Sequence, residues 1–322
     1  MKIVTPSVEI MRTGLETEMI LPEQFIEKVG RTCYKSEDKI TEDSAAKFVG
    51  NLIKRGHEAM IEHWSLICKH DVLSAVSISH DYNKLLYSDN TADSQRLRPY
   101  LRFTNSYRNI VSGNIRAWRD FVKACVENFG YIPQYMHGLI RNYPLFFPEY
   151  QEYVPPIINN NILMPISVSE LTESERRVHQ DITVKFICDR GVSHEIVRHR
   201  VASFAQESTR YCNYSQDKFG SEITVIRPSW CSEDDDKYEE WFGGCCTAES
   251  AYFSMLDKGA TPQEARSVLP NSLKTEIIVT MNLDNWKRFF ELRCPANAHP
   301  DMREVANMAA CLFDEKELLF GV

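Results

Sequence analysis

The chain has 322 residues, 43% hydrophobic and 25% charged, enough to bury a substantial core as one large domain or two smaller ones, and this composition excludes disorder and fibrous repeats. A net charge of -8 and a pI near 5.7 oppose general nucleic-acid binding, because affinity for a polyanion comes mainly from Lys and Arg neutralising phosphates, yet they allow a local basic site for one small anion. The cysteines form no Cys-x-x-Cys pair, and no apolar run reaches the length of a signal-peptide core or a membrane span, so free thiols in a reducing cytoplasm are expected.

Lys2 to Val4 reads as a short strand and Pro22 to Val29 as a helix closed by Gly30. A clearer helix starts at Thr41, carries Ala45, Phe48, Val49 and Leu52 on one stripe and stops at Gly56. It leads into His57-Glu58-Ala59-Met60-Ile61-Glu62-His63, where two histidines and two glutamates invite a metal reading. Zinc-binding histidines on one helix stand four apart, whereas six residues turn a helix by about 240°, so the spacing argues against a metal.

Residues 66 to about 179 are the least legible part of the chain. They hold a helix with Trp118, Phe121, Val122 and Cys125 on one stripe, then a Pro- and Asn-rich passage, Asn142 to Pro165, that reads as surface loop. The run from Asn114 to Phe121 echoes that from Asn282 to Phe289. A duplicated helix start and two amphipathic helices with similar needs both account for the echo, and the second is the simpler.

Ile182, Val184 and Phe186 alternate with Thr183 and Lys185 as in a half-buried strand. Asp189-Arg190-Gly191 reads as a turn, with Ser193 capping a short helix that carries Glu195, Ile196 and Val197 into the next stretch. His194 and His199 are five apart and share no helical face, so no zinc-protease motif is present.

That next stretch, Arg198-His199-Arg200-Val201-Ala202-Ser203-Phe204-Ala205-Gln206-Glu207-Ser208-Thr209-Arg210-Tyr211, concentrates arginines, a histidine, serines and a glutamine between apolar segments. Planar guanidinium forks beside polar acceptors suit a phosphate or an electron-rich heterocycle, although a solvated basic loop has the same composition. Ser208 has no base placed beside it by the sequence, so it reads as a hydrogen-bonding ligand and not a nucleophile.

The acidic run Glu233 to Asp236 reads as a solvated loop or helix start, Ala248 to Lys258 as a helix ended by Gly259, and Thr261-Pro262-Gln263-Glu264 as a capping box opening a short helix with Arg266. Thr275 to Met281 is strand-like. Asn282 then caps a helix whose stripe is Leu283, Trp286, Phe289, Phe290 and finally Arg293, stopped by Pro295. An arginine continuing an apolar stripe either snorkels to water or faces an anionic or carbonyl-rich ligand.

Arg-His-Arg, seven residues, Ser and a closing Arg-Tyr resemble the signature of the flavin-dependent thymidylate synthases. The resemblance covers most of residues 20 to 65 and 180 to 312. It implies one domain over 1–322 with an insertion at about 66–179, in an α+β fold whose mixed or antiparallel sheet is flanked by helices. No Gly-x-Gly-x-x-Gly loop is present, so a flavin here would not occupy a Rossmann crevice.

For function the resemblance implies a cytoplasmic homotetramer, with active sites shared between subunits and no metal, that methylates dUMP to dTMP. Its carbon donor is 5,10-methylenetetrahydrofolate, and its hydride comes from FAD reduced by NADPH. Carried over position by position, Arg293 is catalytic, and Glu195, Arg198, Gln206, Ser208, Thr209, Arg210, Arg266 and Arg293 bind dUMP. The flavin falls to Arg198, His199, Arg200, Gln206, Asn282, Arg288 and His57, the last in a Gly-His-Glu...Glu-His segment. This chain departs from the pattern at Ala59, where Ser or Thr is frequent, at Arg288, where Asn or His is usual, at Gln206, where others have Glu, and at Thr209. The competing readings are a non-catalytic nucleotide-binding protein and a metal hydrolase built on His57, His63, His194 and His199.

Overall fold

The computed structural model describes residues 1–16, 18, 20–70, 100–104, 109–154, 163–210, 212–216 and 219–318; Tyr211 of the arginine stretch lies outside them. The chain divides into two compact units, the first formed by 1–12, 29–38 and 183–322, the second by 13–28 and 39–182. Its class is α+β. No helix among the described residues is long and apolar enough to cross a membrane.

In chain order the strands are β1 (Lys2–Val4), β2 (Ser7–Arg12), β3 (Ser65–Lys69), β4 (Leu101–Thr104), β5 (Ile110–Asn114), β6 (Met164–Pro165), β7 (Asp181–Asp189), β8 (Ser203–Gln206), β9 (Thr224–Ile226) and β10 (Lys274–Asn282). The helices are α1 (Pro22–Tyr34), α2 (Ser44–Lys54), α3 (Ile115–Phe129), α4 (His137–Asn142), α5 (Glu173–His179), α6 (Arg190–Ile196), α7 (Asp236–Asp257), α8 (Pro262–Ala265), α9 (Leu283–Arg293) and α10 (Pro300–Glu315).

In the first unit the sheet order is β2-β7-β10-β8, and β1 pairs with β9 in a separate parallel ribbon. β10 and β8 run antiparallel with Ile277 opposite Gln206 and Thr280 opposite Ser203. β10 is buried from Thr275 to Met281, which explains its near-continuous apolar run. Asn282 ends it and caps α9 by accepting from the Asn285 amide at 3.0 Å. Fully buried Trp286 and Phe289 on α9 then pack with Phe186 of β7, and Trp286 also meets Phe313 of α10.

The second unit has its own sheet, β4-β5-β3-β6, and its own core, centred on Trp118, Phe121, Leu139, Phe146 and Phe147. Glycine is required at position 113, because a Cβ there would stand 2.5 Å from Cδ2 of Leu101 and 3.2 Å from the Tyr100 carbonyl oxygen. Asp181 receives both nitrogens of the Arg102 fork, at 2.6 and 2.7 Å, together with the Ser65 hydroxyl.

Several boundaries differ from the sequence reading, each for a local reason. α1 runs through Gly30 to Tyr34, since Val29 and Cys33 continue its buried face. Asp189-Arg190-Gly191 is no turn: the strand passes straight into α6, and Asp189, not Ser193, caps it by accepting from the Val192 amide at 2.6 Å. α7 begins at Asp236, twelve residues before Ala248, because the acidic run supplies its cap, with Asp235 accepting from Lys237 at 2.9 Å. The passage Asn142 to Pro165 contains a 3-10 helix, Pro148–Tyr153, and strand β6, while residues 155–162 lie outside the described ones.

Candidate active site

Two elements of the first unit bring the central residues together. The short helix α6 ends at Ile196 and holds Glu195 on its last turn, while α9 ends at Arg293. The Arg293 guanidinium donates to Glu195 Oε2 at 2.5 Å and, through Nε, to His199 Nε2 at 2.8 Å. This settles the apolar-stripe question: Arg293 is held by a carboxylate and an imidazole, with 19% of its side chain exposed. His199 also meets Phe289 edge-on at 4.8 Å.

Burial, then Arg293 and Arg288, lower the His199 pKa to about 4. A neutral ring that accepts at Nε2 carries its proton on Nδ1. The depressed value means that His199 favours the folded state above its ordinary pKa of about 6.5, and that this contribution is lost as pH falls from there through about 4. Histidine NMR should show the His199 ring staying neutral down to about pH 4, and Arg293→Ala should move its titration upward. A His199 ring titrating near 6.5 in the wild type would contradict this geometry.

The arginine loop is anchored from β10. Gln206 donates to Ser193 Oγ at 2.9 Å and to Thr275 Oγ1 at 3.2 Å, and the Glu207 amide donates to the Glu276 carbonyl oxygen at 2.8 Å. The Ser208 amide donates to the Cys33 carbonyl oxygen at 3.0 Å, and Arg266 Nη1 reaches Thr209 Oγ1 at 3.4 Å. Behind the loop lies an ionic cluster that sequence reasoning missed. Lys274 pairs with Glu207 at 3.1 Å and Glu276 at 2.6 Å, Lys185 with Glu276 at 2.7 Å, and Lys35 with Glu276 and, at 3.9 Å, Glu207. Burial opposes ionisation of Glu276, yet Lys274 and Lys35 overcome it and lower its pKa to about 2. The available signal was the pair of charges at Lys274 and Glu276 entering an apolar strand.

Other expected residues take different places. Arg198, Arg200 and Arg288 are exposed and pair with no carboxylate among the described residues, so three cations are available to an anion. Arg210 and Arg266 are exposed as well. Asn282 uses its side-chain oxygen as a helix cap. His57 is exposed and belongs to the second unit, where its segment is held by α3: Arg116 donates to Glu62 at 2.5 Å and Arg119 to Glu58 at 3.2 Å.

Residues 175–316 match the family described as thymidylate synthase complementing protein. The match covers less than half of the chain. The matched stretch contains α6, the arginine loop, β10 and α9, hence the whole Glu195–His199–Arg293 arrangement. The chain is 39% identical over 119 residues to the flavin-dependent thymidylate synthase of Pyrococcus furiosus, covering 37% of this chain and 48% of that one. It is 36% identical over 117 residues to the protein of the same name from Geobacter sulfurreducens, covering 36% and 49%. For that of Saccharolobus solfataricus the figures are 33% over 117 residues, 36% and 43%. The chain thus spans about half the length of the curated relatives that it matches.

Proposed function

We propose that the chain is a flavin-dependent thymidylate synthase, converting dUMP and 5,10-methylenetetrahydrofolate to dTMP and tetrahydrofolate with FAD reduced by NADPH. One observation carries this reading: an arginine held between a carboxylate and a neutral imidazole, beside the exposed guanidiniums of Arg198 and Arg200. Carbon 5 of uracil must become nucleophilic to take up a one-carbon unit, which places negative charge on the ring amide. Arg293 supplies the fixed cation beside that charge, preorganised by Glu195 and His199.

Arg198, Arg210 and Arg266, with Gln206, Ser208 and Thr209, hold the nucleotide, whose phosphate suits guanidinium forks. The exposed cations Arg200 and Arg288 and the neutral His199 fit the pyrophosphate and the electron-rich ring of FAD. Bound there, the reduced flavin supplies the hydride. Assembly as a cytoplasmic homotetramer belongs to the same proposal.

The test is the visible spectrum of the purified protein after addition of FAD and removal of the excess, with and without dUMP. Retained oxidised-flavin bands that shift on adding dUMP support the synthase. A protein retaining no flavin leaves an anion-binding loop and sinks the reading.

A further inference from the structure

The block between Ser65 and Phe129 repeats the sheet order and the following helix of residues 181–293, apart from β9, which pairs in a separate ribbon. In the second unit β3, β4 and β5 stand in the order β4-β5-β3 with β6 beyond β3, and α3 follows β5. In the first unit β7, β8 and β10 stand in the order β8-β10-β7 with β2 beyond β7, and α9 follows β10. The corresponding outer pairs, β4 with β5 and β8 with β10, then β3 with β6 and β7 with β2, are all antiparallel.

The sequences run in step with the strands. Arg96, Arg98, Ser106 and Arg108, all four outside the described residues, repeat in sequence the spacing of Arg198, Arg200, Ser208 and Arg210. The offset that aligns these residues lays Leu101–Thr104 on Ser203–Gln206, so β4 falls on β8 end to end. His63 and His179, both fully buried, stand two residues before β3 and β7. Asn114 caps α3 by accepting from the Ala117 amide at 2.8 Å, as Asn282 caps α9. Trp118 and Phe121 then meet edge-on at 6.4 Å, as Trp286 and Phe289 do at 5.4 Å. The ladders differ by one residue: Leu101 faces Gly113 and Ser203 faces Thr280, so α3 starts one position sooner. Two amphipathic helices with similar needs explain the caps and ring pairs, but neither the shared strand order nor the motif in step with it.

The same alignment shows what the block lacks. Counted from the paired asparagine caps, Arg293 falls on Cys125, which is fully buried in the core of the second unit. His199 falls on Leu97, and only residues 105–109 separate β4 from β5, where 207–273, including Arg266, separate β8 from β10. We propose that residues 63–129 are a second copy of the strand-and-helix unit of residues 179–293 that keeps the fold and has lost the catalytic arginine, so that each chain holds one catalytic nucleotide site, in the later copy. The inference rests on the proposed synthase reading for the identity of that nucleotide.

The experiment counts dUMP bound per chain by calorimetry on the full-length protein, in the wild type, in an Arg98→Ala/Arg108→Ala double variant and in an Arg198→Ala/Arg210→Ala double variant. One dUMP per chain is expected in the wild type, kept by the first variant and lost by the second. Two per wild-type chain overturn the inference, whatever the variants do. Loss of the single equivalent from Arg98→Ala/Arg108→Ala with an unchanged melting temperature also overturns it, since the earlier copy would then be a working site. A wild type that binds flavin but no dUMP removes the synthase reading, and the one-site claim with it.

Discussion

Arg293→Ala is expected to lower dTMP formation by about 100- to 1000-fold, the loss that follows removal of one preorganised group facing a developing charge. Flavin retention should persist, because the exposed cations Arg198, Arg200 and Arg288 are untouched. The effect should appear in kcat as well as in kcat/KM, since the cation matters most once charge has moved onto the ring. Arg293→Lys keeps the charge but cannot reach both Glu195 and His199 with a planar fork, so only partial recovery is expected. Turnover within a few-fold of wild type in Arg293→Ala would remove Arg293 from the chemistry.

Glu276→Ala should produce the largest loss of stability, about 3 to 5 kcal/mol, because it strands Lys274, Lys185 and Lys35 with one buried carboxylate between them. The side chain of Glu276 is only 8% exposed, so water compensates little. The pH dependence has a definite sign. A carboxyl whose pKa is lowered to about 2 stabilises the fold above its ordinary value of about 4.5, and this contribution fades as pH falls from there toward 2. Urea unfolding at pH 7 and pH 3 tests both statements. A wild type equally stable at the two pH values, or a Glu276→Ala variant within about 0.5 kcal/mol of it, would show that the cluster does not hold the fold.

What the sequence made legible was local. The Asn282 cap, the stripe of Trp286 and Phe289 and the stop before Pro295 are encoded within a dozen residues, and so is the capping box at Thr261. The arginine loop was legible because its residue order resembles a known signature. The partners were not legible. Arg293 and Glu195 lie 98 positions apart and Lys35 and Glu276 lie 241 apart, and no periodicity reports contacts over such distances. Asp189 was misread because Asp-Arg-Gly has turn composition, while its capping role depends on the strand that delivers it. The strands of residues 66–179 were missed because β4 and β6 are short, and short strands carry little alternation.

Among the described residues the ionic cluster behind the arginine loop has an odd composition, three ammonium groups around two buried carboxylates, with Glu37 at its rim, 3.8 Å from Lys35. Its members therefore cannot be ranked by deleting them singly. Removing Lys185 brings the buried groups to balance, while removing Glu276 doubles the imbalance, and the two changes made together should cost less than their sum. Stability at this place is a property of the set, and only a double-mutant cycle will divide it among its members.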